Sequence, residues 1–142
     1  METLSGTTTF VLHKVAVASR RAIADRLAES TGHLTLWQYA ALAELGDQGP
    51  TAQKGLGAAL GVDPGDMVRL MDELVARRLV ARERDPADRR RYRITLTARG
   101  RNTLAAARKV VREVERVTLQ PLTPAERTTL HALVTKIRSF KG

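Results

Sequence analysis

Tyr92-Arg93-Ile94-Thr95-Leu96 alternates apolar and polar residues in a chain whose other apolar positions recur at helical spacing. A period of two belongs to a strand with one buried face. A lone strand leaves its backbone donors and acceptors unpaired, so a partner must lie close by. Leu79-Val80-Ala81-Arg82 supplies one just upstream. The pair predicts a β-hairpin, with Tyr92, Ile94 and Leu96 on one face and Arg93 and Thr95 on the other. Its tip is heavily charged: residues 82–93 hold six arginines and three acids. Adjacent arginines repel one another and contribute nothing to folding such a tip. They suit either an anionic partner or plain solvation.

Cap signals bound the helical segments. Residues 10–30 carry Phe10, Val11, Val15, Val17, Ala18, Ala22, Ile23 and Leu27. That stripe is too wide for a helix with one buried face, and Gly32 ends it. In Leu34-Thr35-Leu36-Trp37-Gln38-Tyr39, Thr35 and Gln38 form a capping box, and Leu34 can staple onto Tyr39. This helix is expected to end near Gly46, with residues 47–50 as a turn. A short third helix follows Thr51, has Leu56 and Leu60 inward, and closes at Gly61. Asp63-Pro64-Gly65-Asp66 opens a fourth, with Asp63 as cap, Pro64 at the first helical position and Asp66 favoured by the helix dipole. Met67, Leu70, Met71 and Leu74 share its inner face, which turns Val68, Arg69, Asp72 and Glu73 outward. Thr97 caps a fifth helix from Ala98 to about Leu119. Thr123-Pro124-Ala125-Glu126 starts a sixth with Leu130, Leu133, Val134, Ile137 and Phe140.

The third and fourth segments, joined through a glycine, read as a helix-turn-helix. A turn of this kind also occurs in ordinary helical hairpins. The net charge of +9 and pI of about 11.0 point to an anionic partner, nucleic acid first. A membrane surface competes, but no apolar stretch approaches the ~20 residues of a spanning helix. The first ten residues lack the pattern of a signal peptide, so a cytoplasmic protein is expected. There is no cysteine, which excludes disulfides and thiolate metal sites. His13, His33 and His131 have no metal-ligand spacing, and no phosphate-cradling loop or catalytic constellation stands out. No cofactor and no enzymatic activity are expected.

The first helix and the last two lie at opposite ends of the chain, and burying them together across a two-fold axis makes a homodimer. The expected architecture is mainly α with a small β-hairpin wing: a winged helix-turn-helix of six helices. Residues 1–33 form an N-terminal dimerisation helix, 34–97 the DNA-binding lobe, and 98–142 the C-terminal dimerisation helices. Two recognition helices in one dimer suit a pseudo-palindromic double-stranded operator.

From about Phe10 to Phe140 the chain resembles the multiple-antibiotic-resistance regulator (MarR) family of bacterial winged-helix repressors. The most specific part is Asp85-Pro86-Ala87-Asp88-Arg89-Arg90-Arg91 followed by Leu96-Thr97-Ala98-Arg99-Gly100. It is similar to the family's wing signature, Asp-x-Arg and then Leu-Thr-x-x-Gly. Leu34-Thr35 with Gln38-Tyr39, and Leu60-Gly61-Val62-Asp63-Pro64, match two further helix starts. The resemblance implies that Arg90 enters a minor groove and that Asp88 orients it or a neighbour. It also implies that Pro64, Gly65, Asp66, Val68 and Arg69 face the major groove, with Arg84, Arg89 and Arg91 supporting the wing contacts. It implies a cleft for a small aromatic or anionic effector between the dimerisation helices and the lobe, where His13, Arg20 and Trp37 are candidates. Location with the bacterial nucleoid follows from the same likeness.

One departure stands out. Gly65-Asp66 replaces the hydroxyl pair frequent in the family, and a carboxylate there opposes phosphates. Asp66 either caps the helix or accepts from a cytosine amino group. Gly55 and Gly57 weaken the third helix by about 1 kcal/mol each relative to alanine and allow close approach of DNA or of a neighbouring helix. Two rival readings remain: an effector-free DNA-organising protein, and a basic helical module for an acidic protein partner.

Overall fold

The computed structural model describes residues 3–30 and 32–140. Residues 1, 2, 31, 141 and 142, which fall inside the two expected dimerisation segments, lie outside the described residues.

Local capping sets four of the helix starts. Thr35, Asp63, Thr97 and Thr123 each accept, through a side-chain oxygen, the main-chain N–H three residues on, at 2.9–3.2 Å. Each such cap contributes about 1 kcal/mol. A 3-10 turn, Leu4–Gly6, precedes α1 (Thr8–Ser30), and α2 (Leu36–Gln48) leads into a two-residue strand, β1 (Thr51–Ala52). Next come α3 (Gln53–Leu60), α4 (Pro64–Ala76), β2 (Val80–Arg84) and β3 (Tyr92–Leu96). The chain continues as α5 (Ala98–Thr118) and α6 (Pro124–Ser139).

The sheet is antiparallel in the order β1-β3-β2. Val80 pairs with Leu96 and Arg84 with Tyr92, which makes β2 and β3 the expected hairpin. Ile94 is fully buried, and Tyr92 and Leu96 pack against the core from the same face. The core gathers Leu42 and Leu45 of α2, Leu56 of α3, and Met67, Leu70, Met71 and Leu74 of α4. Leu27 of α1 and Leu104 and Ala107 of α5 join it. Fully burying one such leucine is worth about 1.5–3 kcal/mol. Because α1 and α5 share this core, the expected segments at 33/34 and 97/98 meet in one apolar interior.

Gly57 is buried where α3 meets α4, and a Cβ there would stand 2.8 Å from Met67 Cγ. Close helix–helix approach therefore accounts for it.

Three expectations on element bounds change. The second helix runs past Gly46 to Gln48, because α5 packs alongside it and offsets the glycine's weak propensity. Thr51 and Ala52 form a strand on the free edge of β3. The first hairpin strand runs Val80–Arg84 rather than 79–82. The wide apolar stripe of α1 buries only Leu27, while Val11 and Val15 are exposed. In α6 no described residue is buried, and Leu133, Val134, Ile137 and Phe140 lie open.

Candidate nucleic-acid interface

The outward face of α4 and the tip of the hairpin carry the expected contact residues. Met67, Leu70, Met71 and Leu74 take the buried positions of α4, so Pro64, Gly65, Asp66, Val68 and Arg69 are exposed. Val68 is an apolar side chain left half open to solvent, at 49%. Met71 and Leu74 of α4 share one apolar core with Val80 and Ile94 of the hairpin, and an ion pair of 2.9 Å between Asp72 on α4 and Arg82 on β2 bridges the two.

Asp63, not Asp66, caps α4: its Oδ1 accepts the Asp66 N–H at 3.0 Å. That bond holds the Asp63 carboxyl below the usual carboxylate range. A hydrogen bond with Asp63, together with its charge, holds the Asp66 carboxyl above that range. Asp66 is thus free of capping and presents a carboxyl that keeps its proton more readily than an isolated one.

The wing tip is built by main-chain bonds and two aspartates. Asp85 N–H donates to Arg91 O, and Arg91 N–H to Asp88 O. Asp85 Oδ1 accepts from Ala87 N–H, and Asp88 Oδ1 from Arg90 N–H at 3.0 Å. The second oxygen of Asp88 lies 3.6 Å from Arg91 Nε. Asp88 therefore shapes the backbone under Arg90 and leaves the Arg90 side chain unengaged. Arg84 is held: its guanidinium stacks 4.4 Å above the Tyr92 ring and donates to Arg89 O at 2.9 Å. Arg89 and Arg90 form no ion pair among the described residues and project from the tip as free cations.

The structure does not gather the three candidate effector residues. Trp37, 54% exposed, opens onto a groove of about 300 Å³ that it shares with Asp63, Asp66, Arg69 and Glu73. Neither His13 nor Arg20 lines that groove. His13 is exposed on α1 with its ring 6.4 Å from that of Phe10.

A larger cleft of about 640 Å³ lies between the end of α2, β3 and α5. Leu45, Leu96 and Leu104 form its apolar walls, and Arg101, Arg108, Lys109 and Arg112 its basic rim. Arg108 pairs with Asp47 at 2.7 Å. The sequence reading expected a cleft between the dimerisation helices and the lobe, but none of its candidate residues lines this one. Its signal was the helical spacing of the basic residues on α5.

The MarR family model matches residues 34–91. The transcriptional repressor NicR of Pseudomonas putida is 33% identical over 104 residues, which span 73% of this chain and 66% of NicR. A mutant MarR of Escherichia coli, solved in complex with operator DNA, superposes with a TM-score of 0.79 at 25% identity. That match covers 89% of this chain and 90% of MarR. BpsR of Bordetella bronchiseptica, whose DNA binding is regulated by 6-hydroxynicotinic acid, superposes with a TM-score of 0.80 at 27% identity. It covers 91% of this chain and 96% of BpsR. With six helices, a three-stranded wing sheet and the wing signature in place, the chain belongs to the MarR family of transcriptional regulators.

Proposed function

We propose that the chain is a homodimeric, sequence-specific repressor of a pseudo-palindromic operator. The carrying observation is the joining of two reading elements. The exposed face of α4 and the free arginines of the wing tip stand on elements that share one apolar core and are bridged by the Asp72–Arg82 pair, so they approach DNA as one body. A helix fits the major groove, and a narrow minor groove attracts arginine through its enhanced negative potential. The repressor NicR and the operator complex of MarR support the same reading.

The basic cleft beside α5 is the site for an effector, a small organic anion with an apolar body. Its volume falls in the range of ligand pockets, and the regulation of BpsR by 6-hydroxynicotinic acid supports the class. Binding there would move α5 against the lobe and change the separation of the two reading heads.

Selection of bound fragments from random DNA with the purified chain tests the reading, with an inverted repeat as the expected result. On that repeat Arg90→Ala should cost on the order of 1–3 kcal/mol, most where the flanks are A·T-rich. In Arg69→Ala, loss of preference at one position per half-site marks a guanine contact. Uniform weakening with a shallower salt dependence marks a phosphate contact. Recovery of no motif, with affinity even over all sequences, would refute sequence-specific repression.

A further inference from the structure

Gln38 is the one buried polar side chain among the described residues, at 6% exposure. Its Oε1 accepts from the Thr35 N–H at 3.1 Å, which completes the capping box of α2. The same oxygen accepts from Arg77 Nη1 at 2.9 Å, and Nε2 donates to Glu73 Oε2 at 3.1 Å. Arg77 places its other terminal nitrogen on the carbonyl of Gly32. Beyond the capping box, Arg77 and Glu73 satisfy the buried amide and link α2 to α4.

Arg77 is the residue that closes α4, where a helix terminus favours a cation. Gly32 and His33, in the turn between α1 and α2, both hold left-handed φ angles of 64° and 63°. A Cβ on Gly32 would come within 3.3 Å of Arg77 Nη2. One guanidinium thus fastens the end of the recognition helix to the start of α2 and to the turn that leads from α1. A planar fork can hold two acceptors at fixed angles, which a lysine ammonium does not.

We propose that Arg77 is a positioning residue that locks the recognition helix to the α1–α2 turn. Through that joint it sets the distance between the two reading heads of the dimer. The inference rests on the DNA-reading dimer proposed above. Without Arg77, α4 keeps its apolar contacts through Met67, Leu70, Met71 and Leu74 but can swing about them. Arg77 itself reads nothing. Its effect falls on which half-site separation is accepted, and not on affinity for DNA in general.

Two measurements on the full chain test this, with Arg77→Met, which keeps the length and removes the fork, and Arg77→Lys, which keeps the charge. In the DNA-free protein, Arg77→Met should raise amide hydrogen exchange at residues 33–38 and in the last turn of α4 together, and leave α6 unchanged. On selected operators whose half-sites are moved apart or together by one or two base pairs, wild type should prefer one separation. Arg77→Met should reduce that preference by about tenfold, a change of roughly 1.4 kcal/mol, with its salt dependence unaltered. Arg77→Lys should recover little of it. A variant that keeps both the protected joint and the preference overturns the proposal. So does a salt slope lowered by about one unit, which would mean a direct phosphate contact. If Arg77→Met does not fold, Arg77→Lys carries the test: it also removes the fork and should show raised exchange and a reduced preference, and retention of both would overturn the proposal. A wild type that binds no DNA refutes the repressor, and the exchange measurement still decides the lock.

Discussion

Asp66 stands in the first turn of α4, the proposed recognition helix, where phosphates would approach and its charge would oppose them. The shared hydrogen bond separates two neighbouring carboxyls. Asp63 is held low by the Asp66 N–H, and Asp66 is held high by Asp63. A carboxyl with a raised pKa takes up its proton above the ordinary range of about 4. Acidification therefore removes a negative charge from the proposed reading face before most carboxylates titrate. The cap is safe in that window, because a depressed pKa means that the stabilisation by Asp63 persists until the pH falls through its own lower value. DNA affinity should rise as the pH is lowered toward the carboxylate range, and Asp66→Asn should bind more tightly at neutral pH with a flatter profile. Anisotropy of a labelled duplex across that range measures both. Parallel profiles for the two proteins would show that DNA does not sense this carboxyl.

Between elements, the tightest junction joins the start of β2 to the first turn of α5. The Thr97 hydroxyl donates to Arg78 O at 2.7 Å and accepts the Gly100 N–H at 2.9 Å. A Cβ on Gly100 would stand 1.9 Å from the Leu79 carbonyl oxygen, and backbone cannot move aside as a side chain can. Gly100→Ala must separate wing and helix, at a cost of about 1–3 kcal/mol for overpacking. Urea unfolding should show a lower midpoint at unchanged slope, and an unaltered midpoint would contradict the close contact. The approach of Gly100 to Leu79 joins residues far apart in the chain and was not legible in sequence, whereas the cap at Thr97 was, because its chemistry is local. The caps at Thr35, Asp63 and Thr123 were legible for the same reason, as was the alternation from Tyr92 to Leu96. What escaped depends on distant partners. The strand at Thr51 exists because β3 offers a free edge. Gln38 finds Glu73 and Arg77 from across the fold, and nothing beside it in sequence announces them. Trp37 was grouped with His13 and Arg20, but only the packing of α2 against α4 decides which groove it faces.

At the scale of the molecule, the single chain leaves large apolar side chains uncovered. In α6, Leu133 is 54% exposed, Ile137 63% and Phe140 78%, although the helix has a full capping box at Thr123 and Glu126. A helix of this length is marginal in water by itself, so its apolar face needs a cover. Val11 and Val15 of α1 are open as well. In the proposed homodimer a second copy, offering the same stripe across a two-fold axis, would cover both at once. Each large apolar side chain buried this way contributes about 1.5–3 kcal/mol. Deleting the chain from Leu130 onward should leave the lobe folded, since α6 supplies no buried residue to its core. It should abolish dimerisation and, with it, specific operator binding, because one half-site alone provides too few contacts. Sedimentation and a footprint on the selected operator read the two effects separately. A truncated chain that still dimerises and protects both half-sites, or a full-length chain that is a stable monomer at micromolar concentration, would rule out this assembly.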